Sequence, residues 1–224
     1  MNIRTKTLNR SYTRACARVC ALVAAVLFLA AAAWAQGAAD APGPSDFAGQ
    51  YAAAVSSSAR LDAVMGAIRS NSPAQAAWLI NDFNSESVPA IRAWMIRGVA
   101  DVAPRQGLSL FEQGLKDQSP WVRLAAVDSL GRLGTPQAVS DLTGVLSQEM
   151  NPGVRQSAAY WLGKIGGTSA VAALGQSLTA DANPNVRVQA AQALLAAGTP
   201  QARRALAAGE NDADERVRQI AHGR

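Results

Sequence analysis

The chain has 224 residues, 49% of them hydrophobic, with 21 Lys and Arg against 16 Asp and Glu. Its cysteines, Cys16 and Cys20, both lie near the N-terminus, and its one histidine is His222. Hydrolytic triads and most catalytic metal sites need histidine or cysteine, so this inventory argues against both, and it leaves no material for a disulfide framework downstream.

Arg4, Lys6, Arg10, Arg14 and Arg18 form a basic leader free of Asp and Glu. An apolar run from Val19 to Ala33 follows, ending in Ala33-Trp34-Ala35, a small-x-small exit before Gln36. Basic start, apolar middle and small-residue exit predict a secretory signal peptide over residues 1–35, cleaved after Ala35. The run is shorter than the roughly 20 residues that span a bilayer comfortably. The alternative is an uncleaved segment that anchors the chain to the membrane. Export implies a periplasmic or secreted protein. Taking the five leader bases from 21 leaves 16 basic against 16 acidic residues, so the pI of 9.8 comes largely from the leader. It is not evidence for a nucleic-acid partner.

Residues 36–45, with Pro42, Gly43 and Pro44 among them, read as a flexible linker. Residues 46–224 read as one array. Asp117-Gln-Ser-Pro120-Trp-Val122-Arg123 recurs as Glu149-Met-Asn-Pro152-Gly-Val154-Arg155, as Asp181-Ala-Asn-Pro184-Asn-Val186-Arg187 and as Asp212-Ala-Asp-Glu215-Arg-Val217-Arg218. Glu86-Ser-Val-Pro89-Ala-Ile91-Arg92 fits the same frame. The five arginines are 31, 32, 32 and 31 residues apart. Each unit decodes as two helices. Ser, Asn or Asp caps the first and proline enters its first turn. Gly134, Gly166 and Gly198 close it in the left-handed conformation. Ser72-Pro73, Ala103-Pro104, Thr135-Pro136 and Thr199-Pro200 open the second helix. That helix carries a leucine at one fixed place: Leu79, Leu110, Leu142, Leu174 and Leu206. A single hairpin cannot bury such a face, whereas stacked hairpins join these leucines into a continuous core.

The predicted fold is all-α, a right-handed alpha-solenoid of stacked helical hairpins of about 32 residues each. A degenerate N-terminal cap spans 46–85, repeats span 86–116, 117–148, 149–180 and 181–211, and a partial repeat spans 212–224. In the cap, Leu61 stands at the arginine's place and Val55 at the acid's, and Asp46 to Val55 is expected to add a covering helix.

The Asp-x-x-Pro-x-Val-Arg and Ala-Ala-x-x-Leu-Gly-x-x-Gly motifs, the latter from Ala158 to Gly166, resemble the HEAT-repeat family, in particular its short bacterial form in phycobilin-lyase-like repeat proteins. The resemblance implies a structural ladder of hydrogen bonds between neighbouring repeats, formed by Asp117, Arg123, Glu149, Arg155, Asp181, Arg187, Asp212 and Arg218. An arginine fork suits a carboxylate, which agrees with that role.

No catalytic, cofactor-binding or metal-ligating set emerges. His222 reads as a surface residue, and Asp212, Asp214 and Glu215 read as acids favoured at a helix start. Projection of the second helices gives a face of Gln137, Ser140, Asp141 and Gly144 in one unit and Ser169, Ala172, Ala173 and Gln176 in the next, poor in charge for a phosphate backbone. Trp78, Trp94, Trp121, Tyr160 and Trp161 stand where other units carry small or polar residues. Two readings stay open for them: partner-binding anchors, or rings packed on Arg and Lys stems or over the N-terminal cap. The function expected is an exported, non-catalytic scaffold or adaptor for another envelope protein. The alternative is an accessory, lyase-like protein of an enzyme system, with nucleic-acid binding a distant third.

Overall fold

The computed structural model describes residues 44–223, so the leader, most of the expected linker and Arg224 lie outside the described residues. Within that span the chain is an all-helical solenoid. Helices α1 (Pro44–Ala53), α2 (Ser57–Arg69) and α3 (Pro73–Asp82) form the N-terminal part, followed by a 3-10 turn at Phe83–Ser85. Four hairpins come next: α4 (Pro89–Val102) with α5 (Leu108–Gly114), α6 (Pro120–Leu133) with α7 (Pro136–Gln148), α8 (Pro152–Ile165) with α9 (Thr168–Ala180), and α10 (Pro184–Ala197) with α11 (Pro200–Leu206). A 3-10 turn at Ala207–Gly209 leads to α12 (Glu215–Ala221). None of the described helices is long and apolar enough to cross a membrane.

Local chemistry sets the helix starts. Proline occupies the first turn of α4, α6, α8 and α10, where no N–H is needed. Asn151, Asn183 and Asp214 cap α8, α10 and α12 through their side chains, and Thr135 and Thr199 cap α7 and α11. Ser119, expected to do the same for α6, makes no side-chain cap bond. Its backbone N–H is instead held by Asp117 Oδ1 at 2.8 Å.

Three further expectations are corrected. Helix α1 begins at Pro44, inside the stretch expected as linker. Gly134 and Gly198 are left-handed with φ of 62° and 60°, but Gly166 has φ 77° and ψ −161°, a positive-φ conformation outside the left-handed helical region. Ala103-Pro104 does not open a helix. Ala103 stands where other units have the C′ glycine, and a side chain disfavours the left-handed conformation. It takes φ −147° and ψ 61° instead, its carbonyl accepts from Gln106 and Gly107, and α5 starts only at Leu108.

Packing follows the repeat. Leu79, Leu110, Leu142, Leu174 and Leu206 are all buried, and they belong to one apolar cluster running from Tyr51 to Val217. The first helices approach closely because small residues line their contacts. Ala126, Ala158 and Ala190, each three residues after a ladder arginine, have no exposed surface, and the larger Met95, equally buried, takes that place in the first repeat. At Gly131 the neighbouring Trp161 ring occupies the space a Cβ would need. Truncating Leu142 or Leu174 to Ala should therefore cost on the order of 2–5 kcal/mol in denaturant unfolding. A loss below about 1 kcal/mol would show that these leucines do not carry the core.

Candidate functional site

The most regular polar feature is a ladder along the loops that precede the first helices. Each rung joins one repeat's arginine to the next repeat's acid. Arg155 donates from Nε to Asp181 Oδ2 at 2.7 Å and from Nη2 to Asp181 Oδ1 at 2.8 Å. Its Nη1 donates to the backbone oxygens of Glu149 and Met150 in its own loop, at 2.8 and 3.1 Å. Arg92 holds Asp117, Arg123 holds Glu149 and Arg187 holds Asp212 in the same way. The acid is also shared with its own loop. Asp181 Oδ1 accepts the backbone N–H of Asn183, and Asp117, Glu149 and Asp212 accept those of Ser119, Asn151 and Asp214.

The electrostatics follow. Burial alone would raise the Asp117, Glu149 and Asp181 carboxyls, but the arginine forks and the loop N–H groups outweigh it and leave all three below their ordinary values. Asp212 is lowered chiefly by its hydrogen bonds from Arg187. Every described carboxylate of the internal rungs is thus committed to a guanidinium.

Two partners of the ladder are invisible in the repeat pattern. Glu86, whose side chain is fully buried, is held by Tyr51 Oη, which donates to Oε2 at 2.6 Å, and by Arg60, whose Nε lies 3.1 Å from the same oxygen. Together they stand in for the arginine of a preceding repeat. Arg60 is one residue before the in-phase position taken by Leu61, so the frame passes it over. The one available signal was Glu86 itself, an acid in frame without an arginine upstream. Burial, and then the bond to Glu86, push the Tyr51 phenol well above its ordinary value.

The aromatic residues separate. Trp78 meets Tyr51 edge-to-face at 5.4 Å and donates from Nε1 to Asp82, which ties it to the N-terminal helices. Trp161 lies between repeats, with Nε1 bonded to Asp128 at 3.0 Å. Trp161 is partly buried, and Ser129, its counterpart in the preceding unit, is buried and donates to the Ala125 carbonyl. A polar residue at this position therefore does not mark an outer surface. Trp94 is 38% exposed beneath the Arg97 guanidinium, and Tyr160 is 42% exposed with Lys164 over its ring. Trp121 stands out at 70% exposed, and Met150, which the sequence reading passed over, is 90% exposed. Both flank one rung. Trp121 lies two residues before Arg123, and Met150 directly follows the Glu149 that Arg123 holds.

On the second-helix face, Gln137, Ser140, Ser169, Ala172 and Gln176 are exposed, whereas Ala173 is buried against its neighbours. A groove of about 570 Å³ between α7 and α9 is lined by Thr143, Ser147, Gln176 and Ser177 beside the Arg155–Asp181 rung. The hydroxyls of Thr143 and Ser177 are buried there without a hydrogen-bond partner. Among the described residues no group of three His, Cys, Asp or Glu side chains is placed to hold a metal ion.

The family profile described as HEAT repeats matches residues 76–149 and 144–222. The chain belongs to the HEAT-repeat family. A search of curated proteins finds no match. Among solved structures, human deoxyhypusine hydroxylase in complex with glycerol aligns at 17% identity and a TM-score of 0.41, over 80% of this chain and 93% of that one. A likeness that distant carries no argument about what this HEAT-repeat chain does.

Two predictions follow the ladder. Arg155→Lys keeps the charge but loses the planar fork, and should cost about 1–3 kcal/mol of ligand-free stability, read as a lower melting temperature. An unchanged melting temperature would remove the structural role of this rung. The second concerns pH. Carboxylates whose folded pKa is depressed add stability that is complete above their ordinary range and lost as pH falls through the folded value. Unfolding free energy should hold to about pH 5 and drop below about pH 4. Asp181→Asn should start lower and fall less steeply over that window in denaturant titrations, and equal slopes would contradict the assignment.

Proposed function

We propose that this HEAT-repeat chain is an exported, non-catalytic adaptor that binds another envelope protein. The basic leader, apolar run and small-residue exit at residues 1–35 support export. A binding role is supported by the second-helix face, which is polar but nearly uncharged, and by a ladder whose charges neutralise one another. Such a surface would release few counterions from a nucleic acid. Units of 31 and 32 residues favour the short bacterial type of repeat, whose brief loops leave little room for an inserted catalytic site.

The observation that carries the reading is the pair Trp121 and Met150. Two large apolar side chains, 70% and 90% exposed, flank one rigid rung. Every other tryptophan described has a ring, cation or carboxylate contact within its own chain. Exposed aromatics on a preorganised scaffold are typical anchors of protein interfaces. Replacing both, as Trp121→Ala with Met150→Ser, should abolish recovery of a specific partner from the envelope fraction. It should leave stability within about 0.5 kcal/mol of wild type. Undiminished recovery by the double variant, or no specific partner for the wild type across several growth conditions, would refute the proposal.

A further inference from the structure

The groove between α7 and α9 holds two hydroxyls that the fold leaves unused. Thr143 and Ser177, on facing helices, both line it, and their side-chain oxygens are buried without a hydrogen-bond partner. Ser177 as a whole is only 7% exposed. A buried hydroxyl without a partner costs folding free energy, so two of them in one groove call for a reason outside the stack. The repeat does not impose them. Thr143 directly follows the fixed Leu142, and the preceding hairpin carries Phe111 in that place. Ser147, four residues on, stands where that hairpin has Leu115.

The charges at the end of the groove are already paired. Arg155 is held by Asp181, and Glu149 by Arg123. An acidic occupant would have to displace Asp181 from its fork, and a basic one would have to draw a carboxylate off its arginine. What stays available is the exposed Gln176 carboxamide, the two hydroxyls and the apolar surface of Leu146 and Ala173. The groove also adjoins Met150. Glu149 and Arg155 line it, and Arg155 Nη1 donates to the Met150 carbonyl at 3.1 Å.

We propose that this groove receives an uncharged segment of the partner protein. One apolar side chain of the segment rests on Leu146 and Ala173, and its flanking peptide groups bond to Thr143, Gln176 and Ser177. A peptide group offers one donor and one acceptor, and hydroxyls and a carboxamide can answer either. Each hydroxyl lies at the end of one χ1 bond, so a rotamer change turns it to the occupant. About 570 Å³ is ample for one side chain with its peptide groups. The inference rests on the adaptor reading and extends its interface from Met150 onto the second-helix face.

The test places photoreactive p-benzoylphenylalanine at one of two exposed positions of the full chain in the cells that make it. One is Ala182, at the rim of the groove, and the other is Gln118, three residues before Trp121. Cross-linked segments are sequenced by mass spectrometry. Both positions should join the same protein, and the segment joined at 182 should be free of Asp, Glu, Lys and Arg around the link. That segment, made as a capped peptide, should bind the Thr143→Val, Ser177→Ala double variant at least about tenfold more weakly than wild type. The double variant should melt no lower than wild type, to within about 2 °C, because neither hydroxyl bonds within the fold. A charged segment at 182, no saturable binding of the peptide to wild type, equal binding to the double variant, or a melting temperature lowered beyond that margin would overturn the proposal. A partner joined at 118 but not at 182 would overturn it and leave the adaptor function standing. No partner at either position would overturn both.

Discussion

The solenoid depends on a carboxylate that answers two demands at once. In the loops of Asp117, Glu149, Asp181 and Asp212 that acid accepts both donors of the preceding repeat's guanidinium fork, and it also accepts the N–H at the start of its own helix. The first bond fixes where the next repeat stands, and the second fixes how the chain enters it. The arginine completes the lock by binding two carbonyls of its own loop. Stacking distance, loop conformation and helix start are therefore set by the same cluster of atoms. A planar five-donor guanidinium can do this and an ammonium cannot.

That division of labour explains an alanine-rich, aromatic-poor composition. With direction and spacing held at the loops, the helices need only close contact to bury apolar area, and alanine or glycine at the contact gives it. The fixed leucine of the second helices supplies the bulk. Where a repeat departs from the frame the structure adjusts locally. Ala103 in place of a C′ glycine delays α5, and Tyr51 with Arg60 replaces a missing ladder arginine at the N-terminal side.

The ladder also decides what is left for binding. The charges of the internal rungs pair with one another, so among the described residues the ladder presents neither a basic stripe nor an acidic pocket. On the adaptor reading proposed above, binding uses side chains that the stack leaves over, Trp121 and Met150 beside the Arg123–Glu149 rung. The proposed protein partner suits such a surface, since affinity there comes from a few buried anchors more than from net charge.

The sequence by itself determined the helical class, the 31- to 32-residue period and the buried leucines. It could do so because each rests on short-range chemistry repeated in register: proline in a first turn, glycine past a helix end, leucine once per hairpin. The acidic and basic ladder positions were legible for the same reason. The direction of pairing was not. Arg155 has an acid six residues before it and another 26 residues after it, and one-dimensional spacing does not say which side chain the fork reaches. The tertiary stack decided that, as it decided the fates of the aromatics. Trp161 and Ser129 share an inward-facing position because the preceding repeat offers Asp128 to one and its own helix offers the Ala125 carbonyl to the other. Tyr51, Arg60 and Glu86 meet only after three helices fold back on each other. Contacts that close across 25 or more residues depend on where whole helices come to rest, and no local pattern encodes that.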